Sequence, residues 1–249
     1  MQVIGHRGAA ALAPENTWTG FDVALSIGVD AIETDIRATR DGELILIHDE
    51  SLDRTTNGSG LVHRTPWSGI KTLDAGSWFS EAYRGTRVPR LWETLERYGH
   101  RTHLTLEIKQ SGVEFEALKM VQELSLQAAV TFTSFDFTVV QQLKTQAPDI
   151  QVGWLFPHID QTQIMKAIQA GLNQVCPPAK ILSPELVSVW RGLGLEVRAW
   201  SVSDPDVMML ALKAGVDGMT VDFPQLLLKV LGPVLKPSGI DRYAEVSAF

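Results

Sequence analysis

Four short polar words stand at or just past the ends of apolar runs: His6-Arg7-Gly8, Glu33-Thr34-Asp35, His48-Asp49 and Glu107-Ile108-Lys109. On a strand, residues two apart share a face and lie about 7 Å apart, so Glu33 with Asp35, and Glu107 with Lys109, can each aim two charged heads into one cavity. Three carboxylates, two imidazoles and two cations then meet in one place. Such a set can hold a hard metal ion beside an anionic ester while the histidines move protons. Alone, a Glu-x-Asp is usually a solvated strand face and a Glu-x-Lys an ordinary ion pair. Their repetition at one kind of position is what points to catalysis.

The elements that must position these words alternate along the chain. Short β-branched runs near 2 to 5, 31 to 36, 43 to 48, 104 to 108, 129 to 133, 151 to 155, 173 to 176, 196 to 200 and 217 to 221 read as strands. Helical periodicity follows most of them, near 16 to 27, 90 to 99, 113 to 126, 136 to 146, 160 to 170, 184 to 191, 204 to 214 and 223 to 231. No helix fits between Asp35 and Leu44, and Asp41-Gly42 predicts a two-residue hairpin turn that pairs Asp35 with His48 on one face. Eight βα units remain, which calls for parallel strands with right-handed crossovers. The expected fold is an α/β (β/α)8 TIM barrel with a β-hairpin in its second unit.

A weak internal repeat supports equivalent units, since Gly28-Val29-Asp30-Ala31-Ile32-Glu33-Thr34-Asp35 echoes Gly215-Val216-Asp217-Gly218-Met219-Thr220-Val221-Asp222. Asp222 thus takes the place of Asp35, but two residues before Pro224 it reads as a helix N-cap. His6, Glu33, Asp35, Glu107 and Trp200 fall at the C-terminal ends of strands, where barrels of this kind carry their chemistry. An insertion at about 50–88 is too long for an ordinary βα loop. It reads as a small cap above the site, with Trp67, Trp78, Phe79 and Tyr83 as its core and its inner surface facing whatever the reacting group is attached to.

With 249 residues, 45% of them hydrophobic, the chain has about the length of one such barrel, and one domain is expected. A formal charge of −7 argues against nucleic acid or an anionic membrane as a bulk partner, so an anionic substrate must rest on local cations. The single Cys176 excludes a disulfide framework within the chain and a thiolate metal site. Nothing near Met1 resembles a signal peptide, and no apolar run approaches the ~18 residues of a membrane span, so a cytoplasmic protein without membrane insertion is expected. His63, His100, His103 and His158 have no partner words and read as surface or loop residues.

These residues carry a resemblance. His6-Arg7-Gly8, Pro14-Glu15-Asn16-Thr17, Glu33-Thr34-Asp35, His48-Asp49, Leu52-Asp53-Arg54-Thr55-Thr56-Asn57-Gly58, Leu73-Asp74-Ala75-Gly76-Ser77-Trp78-Phe79, Val88-Pro89 and Glu107-Ile108-Lys109 resemble the signature of the glycerophosphodiester phosphodiesterases. The likeness is dense over residues 3 to 109, and Trp200-Ser201-Val202 is its main echo afterwards. It implies a divalent ion, calcium or magnesium, held by Glu33, Asp35 and Glu107. His6 and His48 would be the acid–base pair, and Arg7 and Lys109 would hold phosphate oxygens. Glu15 and Trp200 are further candidate substrate contacts. Arg90 and Ser203 depart from the family's frequent Thr and Asn, which bears on substrate fit.

The residues read bottom-up agree. A phosphodiester resists attack until cations neutralise its oxygens, after which one imidazole can take a proton from the nucleophile and the other give one to the departing alkoxide. The nucleophile is water or a neighbouring hydroxyl of the substrate. The expected reaction is hydrolysis of deacylated phospholipids to glycerol 3-phosphate and an alcohol. The alternatives are a lysophospholipase D and a noncatalytic barrel that binds a phosphorylated ligand.

Overall fold

Local signals set the alternation of elements in the computed structural model, which describes residues 1–232. Gly28 and Gly215 each end a helix in the left-handed conformation, at φ 90° and 76°, and a strand follows directly in both repeats. Thr17, Asp204 and Ser183 accept backbone N–H bonds as N-caps.

The chain opens with β1 (Gln2–Gly5), α1 (Trp18–Ile27), β2 (Ala31–Ala38) and β3 (Leu44–Leu46). A one-turn helix, α2 (Trp67–Ile70), lies within the insertion. It is followed by α3 (Leu91–Tyr98), β4 (His103–Ile108), α4 (Glu114–Glu123), β5 (Val130–Ser134), α5 (Phe137–Gln146) and β6 (Gln151–Leu155). The remainder is α6 (Gln161–Gln169), β7 (Gln174–Cys176), α7 (Pro184–Gly192), β8 (Glu196–Val202), α8 (Pro205–Ala214), β9 (Gly218–Val221) and α9 (Pro224–Leu231). Parallel pairing runs β1-β9-β8-β7-β6-β5-β4-β2, and β1 also pairs with β2, so eight parallel strands close into the expected barrel. The strands are buried almost end to end because helices cover their outer faces.

β2 outruns its neighbours, and its projecting end pairs with antiparallel β3. The hairpin therefore exists, but its register differs by one residue from the sequence expectation. Gly42 N donates to Thr39 O (3.1 Å) and Thr39 N to Glu43 O (3.0 Å), so the loop has three residues, Arg40 to Gly42, with Gly42 at φ 85°. This is a turn followed by a left-handed bulge residue, the usual three-residue hairpin solution. Asp35 consequently faces Ile47, whose N–H donates to its carbonyl at 3.1 Å, and His48 lies one step beyond the pairing.

The insertion packs on this hairpin. Leu52, Val62, Ile70, Ala75 and Val88 form a buried cluster with Ile45 and Ile47, separate from the larger core between barrel and helices. The aromatic core expected for this segment is not what forms. Trp67 is only partly buried against the aliphatic cluster, while Trp78, Phe79 and Tyr83 make an edge-to-face chain with Trp78 exposed. Aliphatic side chains fill the space over β3, and Trp67 and Leu73 pack against them from outside.

Because only a left-handed residue closes the three-residue loop, Gly42→Ala should lower stability by about 1 kcal/mol. Urea unfolding followed by circular dichroism checks this. The added Cβ meets no atom within 4 Å, so the loss measures backbone conformation alone.

Candidate active site

Register alone assembles the site. Gly5 pairs with Val221 on one side and with Ile32 on the other, so the next residue on each strand, His6, Asp222 and Glu33, meets the others at the rim where the barrel closes. Asp35 stands directly opposite Glu107, and Glu107 opposite Thr133. Glu33, Asp35 and Glu107 are buried, and each offers an oxygen within 4.8 Å of the other two.

Three carboxylates this close repel one another, and the structure balances them unevenly. Asp35 takes the cations: Arg7 Nε at 3.2 Å, Lys109 Nζ at 3.8 Å, and the Asn16 amide donating at 2.8 Å. Burial pushes its pKa up, but Arg7, Lys109 and His48 outweigh burial and hold it low. Glu33 has less help, and burial plus the charges of Asp35 and Glu107 raise it to about 7. Glu107 is raised by burial and Asp35 despite a 2.8 Å bond from Lys109. Glu33 Oε1 and Asp35 Oδ1 are buried with no hydrogen-bond partner among the described residues. An all-oxygen set with orphaned oxygens fits a hard divalent cation and suits neither a thiophilic metal nor a closed salt-bridge network.

Arg7 reaches this set through a left-handed backbone, φ 49°, which is costly for a residue with a side chain. The conformation lets its N–H donate to Glu33 Oε2 (3.0 Å) while the guanidinium turns back to Asp35 and Glu15. Asn16, also left-handed at φ 54°, donates to Asp35 and accepts from Thr34 Oγ1 and Asp35 N.

Each histidine is held from behind by a carboxylate. His48 Nδ1 lies 2.7 Å from Asp49 Oδ1, and its Nε2 3.1 Å from Lys109 Nζ. An ammonium can only donate, so His48 Nε2 is an acceptor and the proton sits on Nδ1. Burial lowers the His48 pKa, and Arg7 and Lys109 add to that against the pull of Asp35 and Asp49. His6 Nδ1 lies 2.5 Å from Asp222 Oδ1 and its Nε2 3.9 Å from Glu33. Burial pulls its pKa down, but the Asp222 bond and the Glu33 charge outweigh burial and raise it. Asp222 is therefore not the helix cap expected for it. Phe223 occupies that position and makes no side-chain cap bond.

His6, Arg7, Glu33, His48, Glu107, Lys109 and Asp222 share one open cavity of about 300 Å³ with Phe135, Leu155, Arg198, Trp200, Ser201, Val202, Ser203 and Thr220. The predicted words are thus brought together, with Asp35 beneath them. Glu15 is the exception: it is buried behind Arg7, accepting from Arg7 Nη1 at 2.8 Å, and reaches the site through that side chain. Trp200 stands edge-on to Phe135, 5.0 Å between centroids. No residue of the insertion lines the cavity, so the wall expected from the cap comes instead from the ends of β5, β6 and β8. Phe135 and Leu155 belong to no polar word, and only their position, just past the end of β5 and at the end of β6, could have singled them out. Of the remaining histidines, His63, His100 and His158 are exposed, whereas His103 is half-buried on β4 beside Thr131.

Comparison with known proteins gives a consistent picture. The sequence model of the glycerophosphoryl diester phosphodiesterase family matches residues 6–226. The chain is 35% identical over 235 residues to a glycerophosphodiester phosphodiesterase of Caldanaerobacter subterraneus, covering 92% of this chain and 97% of that one. It is 32% identical over 255 residues to one of Bacillus subtilis, covering 91% and 85%. Among solved structures, a glycerophosphodiester phosphodiesterase of Agrobacterium tumefaciens superposes with a TM-score of 0.81 at 32% identity, over 91% of this chain and 98% of the other. A phosphodiesterase of Oleispira antarctica, solved in complex with its product sn-glycerol-3-phosphate, gives 0.83 at 29% identity, over 93% and 96%.

The crowding of the carboxylates has a measurable sign. Glu33 has a folded pKa near 7 against an ordinary 4.5, so in metal-free protein its contribution to stability is present below pH 4.5 and lost as pH rises through 7. Glu33→Gln removes that loss. In chelator-treated samples, the stability of the variant relative to the parent should grow steadily from pH 4.5 to 7, and thermal melts in buffers across that window read it.

Proposed function

The chain belongs to the glycerophosphoryl diester phosphodiesterase family and is a phosphoric diester hydrolase; on that premise we propose that it hydrolyses glycerophosphodiesters to glycerol 3-phosphate and an alcohol. The observation that carries this reading is the placement of two carboxylate-backed imidazoles, His48 with Asp49 and His6 with Asp222, around one cavity with Glu33, Glu107 and the cations Arg7 and Lys109, and with Asp35 beneath them. A barrel that only bound a phosphorylated ligand would have no use for paired proton carriers. The cavity of about 300 Å³ is at the small end of ligand sites, which suits a deacylated substrate over one that keeps an acyl chain. The product held by the Oleispira antarctica relative belongs to the same chemical class.

In this reading Arg7 and Lys109 bind the non-bridging phosphate oxygens, and Arg7 offers a planar fork suited to two of them. His48 takes the nucleophile's proton on Nε2, the nitrogen left without one by its bond to Asp49. Asp49 keeps the proton on Nδ1 and stabilises the imidazolium that forms. His6, held by Asp222, returns a proton to the departing alkoxide. Glu33, Asp35 and Glu107 would hold a calcium or magnesium ion, which when bound supplies Lewis-acid neutralisation of the phosphate. Trp200, Phe135, Leu155 and Ser203 enclose the organic part of the substrate. Uniform enclosure of this kind discriminates weakly among head groups.

A coupled assay for glycerol 3-phosphate on the choline, ethanolamine and glycerol esters tests this. Turnover should vanish with chelator and return with calcium or magnesium. His6→Ala and His48→Ala should each lower kcat by at least ~100-fold with the circular dichroism spectrum unchanged. Full activity in metal-free protein, or near-normal rates in both variants, would contradict the reading.

A further inference from the structure

Arg54 lies in the inserted segment, outside the residues that line the cavity, yet its guanidinium makes four side-chain hydrogen bonds. One edge, Nε and Nη2, donates to Asp49 at 2.7 and 2.9 Å. The other, Nη1 and Nη2, donates to Glu15 at 2.7 and 2.8 Å. Both carboxylates are otherwise engaged in the site: Asp49 Oδ1 faces His48 Nδ1 at 2.7 Å, and Glu15 Oε1 accepts from Arg7 at 2.8 Å. The backbone beneath Arg54 is fixed, because Thr56 N and Oγ1 both bond to the carbonyl of Leu52, whose side chain is buried in the cluster on the hairpin.

We propose that Arg54 is a positioning residue that locks two working groups at once, holding His48 in its Nδ1–H tautomer through Asp49 and aiming Arg7 at the phosphate through Glu15. The inference rests on the roles given above to His48 and Arg7. Asp49 is partly exposed, with 29% of its side chain open to solvent, and without a fork across both oxygens its carboxylate is free to turn toward water. His48 would then lose the bond that orients its ring. A lone exposed ion pair would be worth little, but a doubly bidentate guanidinium fixes both carboxylates in rotation as well as in distance. An ammonium group has no planar fork and cannot hold four such bonds. The same contacts tie the insertion to the chemistry without placing any of its atoms in the cavity. That gives the segment a purpose once its supposed role as a substrate wall is set aside.

The test uses Arg54→Ala and Arg54→Lys in the full chain, with folding confirmed by circular dichroism. Both should lose roughly 10- to 100-fold in kcat, the cost typical of removing a group that orients a catalytic ligand or base. Adding guanidinium at non-denaturing concentration should recover activity in Arg54→Ala, and ammonium should not. Lys109 Nζ is shared with Glu107 and does not hold the tautomer alone, so nitrogen NMR of histidine-labelled protein should show one His48 tautomer in the parent, a mixture in Arg54→Ala, and one again with guanidinium. Parental kcat in Arg54→Lys, or an unchanged His48 tautomer in Arg54→Ala, would overturn the proposal. Should Arg54→Ala fail to fold, Arg54→Lys carries both readouts. If the parent released no glycerol 3-phosphate, the functional reading would fail separately, and the tautomer measurement would still decide the part played by Arg54.

Discussion

Everything at the mouth of this barrel answers to the repulsion among three buried carboxylates. Glu33, Asp35 and Glu107 are brought within 4.8 Å by strand register, and neither Glu33 nor Glu107 gains enough cation to offset its burial. The surrounding features make sense as responses to that crowding. Arg7 adopts a left-handed backbone to reach Asp35, Asn16 does the same to donate to it, and Lys109 is shared between Glu107 and His48. A folded chain retains such strain where local stability is given up for a function. A divalent cation is the partner whose charge and oxygen preference would relieve it.

The two histidines stand beside this cluster in unlike environments. His6 sits beside Glu33 and Asp222 and is pulled toward its charged form. His48 sits beside Lys109 and Arg7 and is pulled toward neutrality. Two groups of one chemical type displaced in opposite directions are the pattern expected of a proton donor and a proton acceptor working in one turnover. The asymmetry originates in the barrel: β1 lies between β2 and β9 and collects carboxylates from both, whereas His48 follows the hairpin and meets the cations that follow β1 and β4.

Much of this was legible in the sequence because the chemistry sits at strand ends, where an apolar run followed by a polar word marks both the element and the site. What escaped reading was what depends on exact count or on distant closure. Gly42 adds one residue to the hairpin loop by turning left-handed, which shifts Asp35 from His48 to Ile47. Asp222 meets His6 across 216 residues of chain, a contact created only when β9 closes on β1. The repeat aligned it with Asp35, whereas the register of β1 with β2 and β9 sets it level with Glu33, and the nearby Pro224 offered a local explanation that the structure does not use. The insertion could be located by its length, whereas its aliphatic packing on β3 and its absence from the cavity wall depend on tertiary contacts that no local pattern marks. Phe135 and Leu155 carry no polar signature and become part of the site by position alone.

The most direct test of the central claim is to locate a bound cation. Crystals grown with manganese as a stand-in for the hard divalent ion, and measured for anomalous scattering, should show one strong peak roughly 2.1 to 2.6 Å from oxygens of Glu33, Asp35 and Glu107. Replacing Glu33 and Glu107 by Gln should abolish the peak while the metal-free protein becomes more stable, since both carboxylates are raised by burial and crowding. A peak elsewhere in the cavity, or an intact triad with no ion in the presence of manganese, would contradict the account.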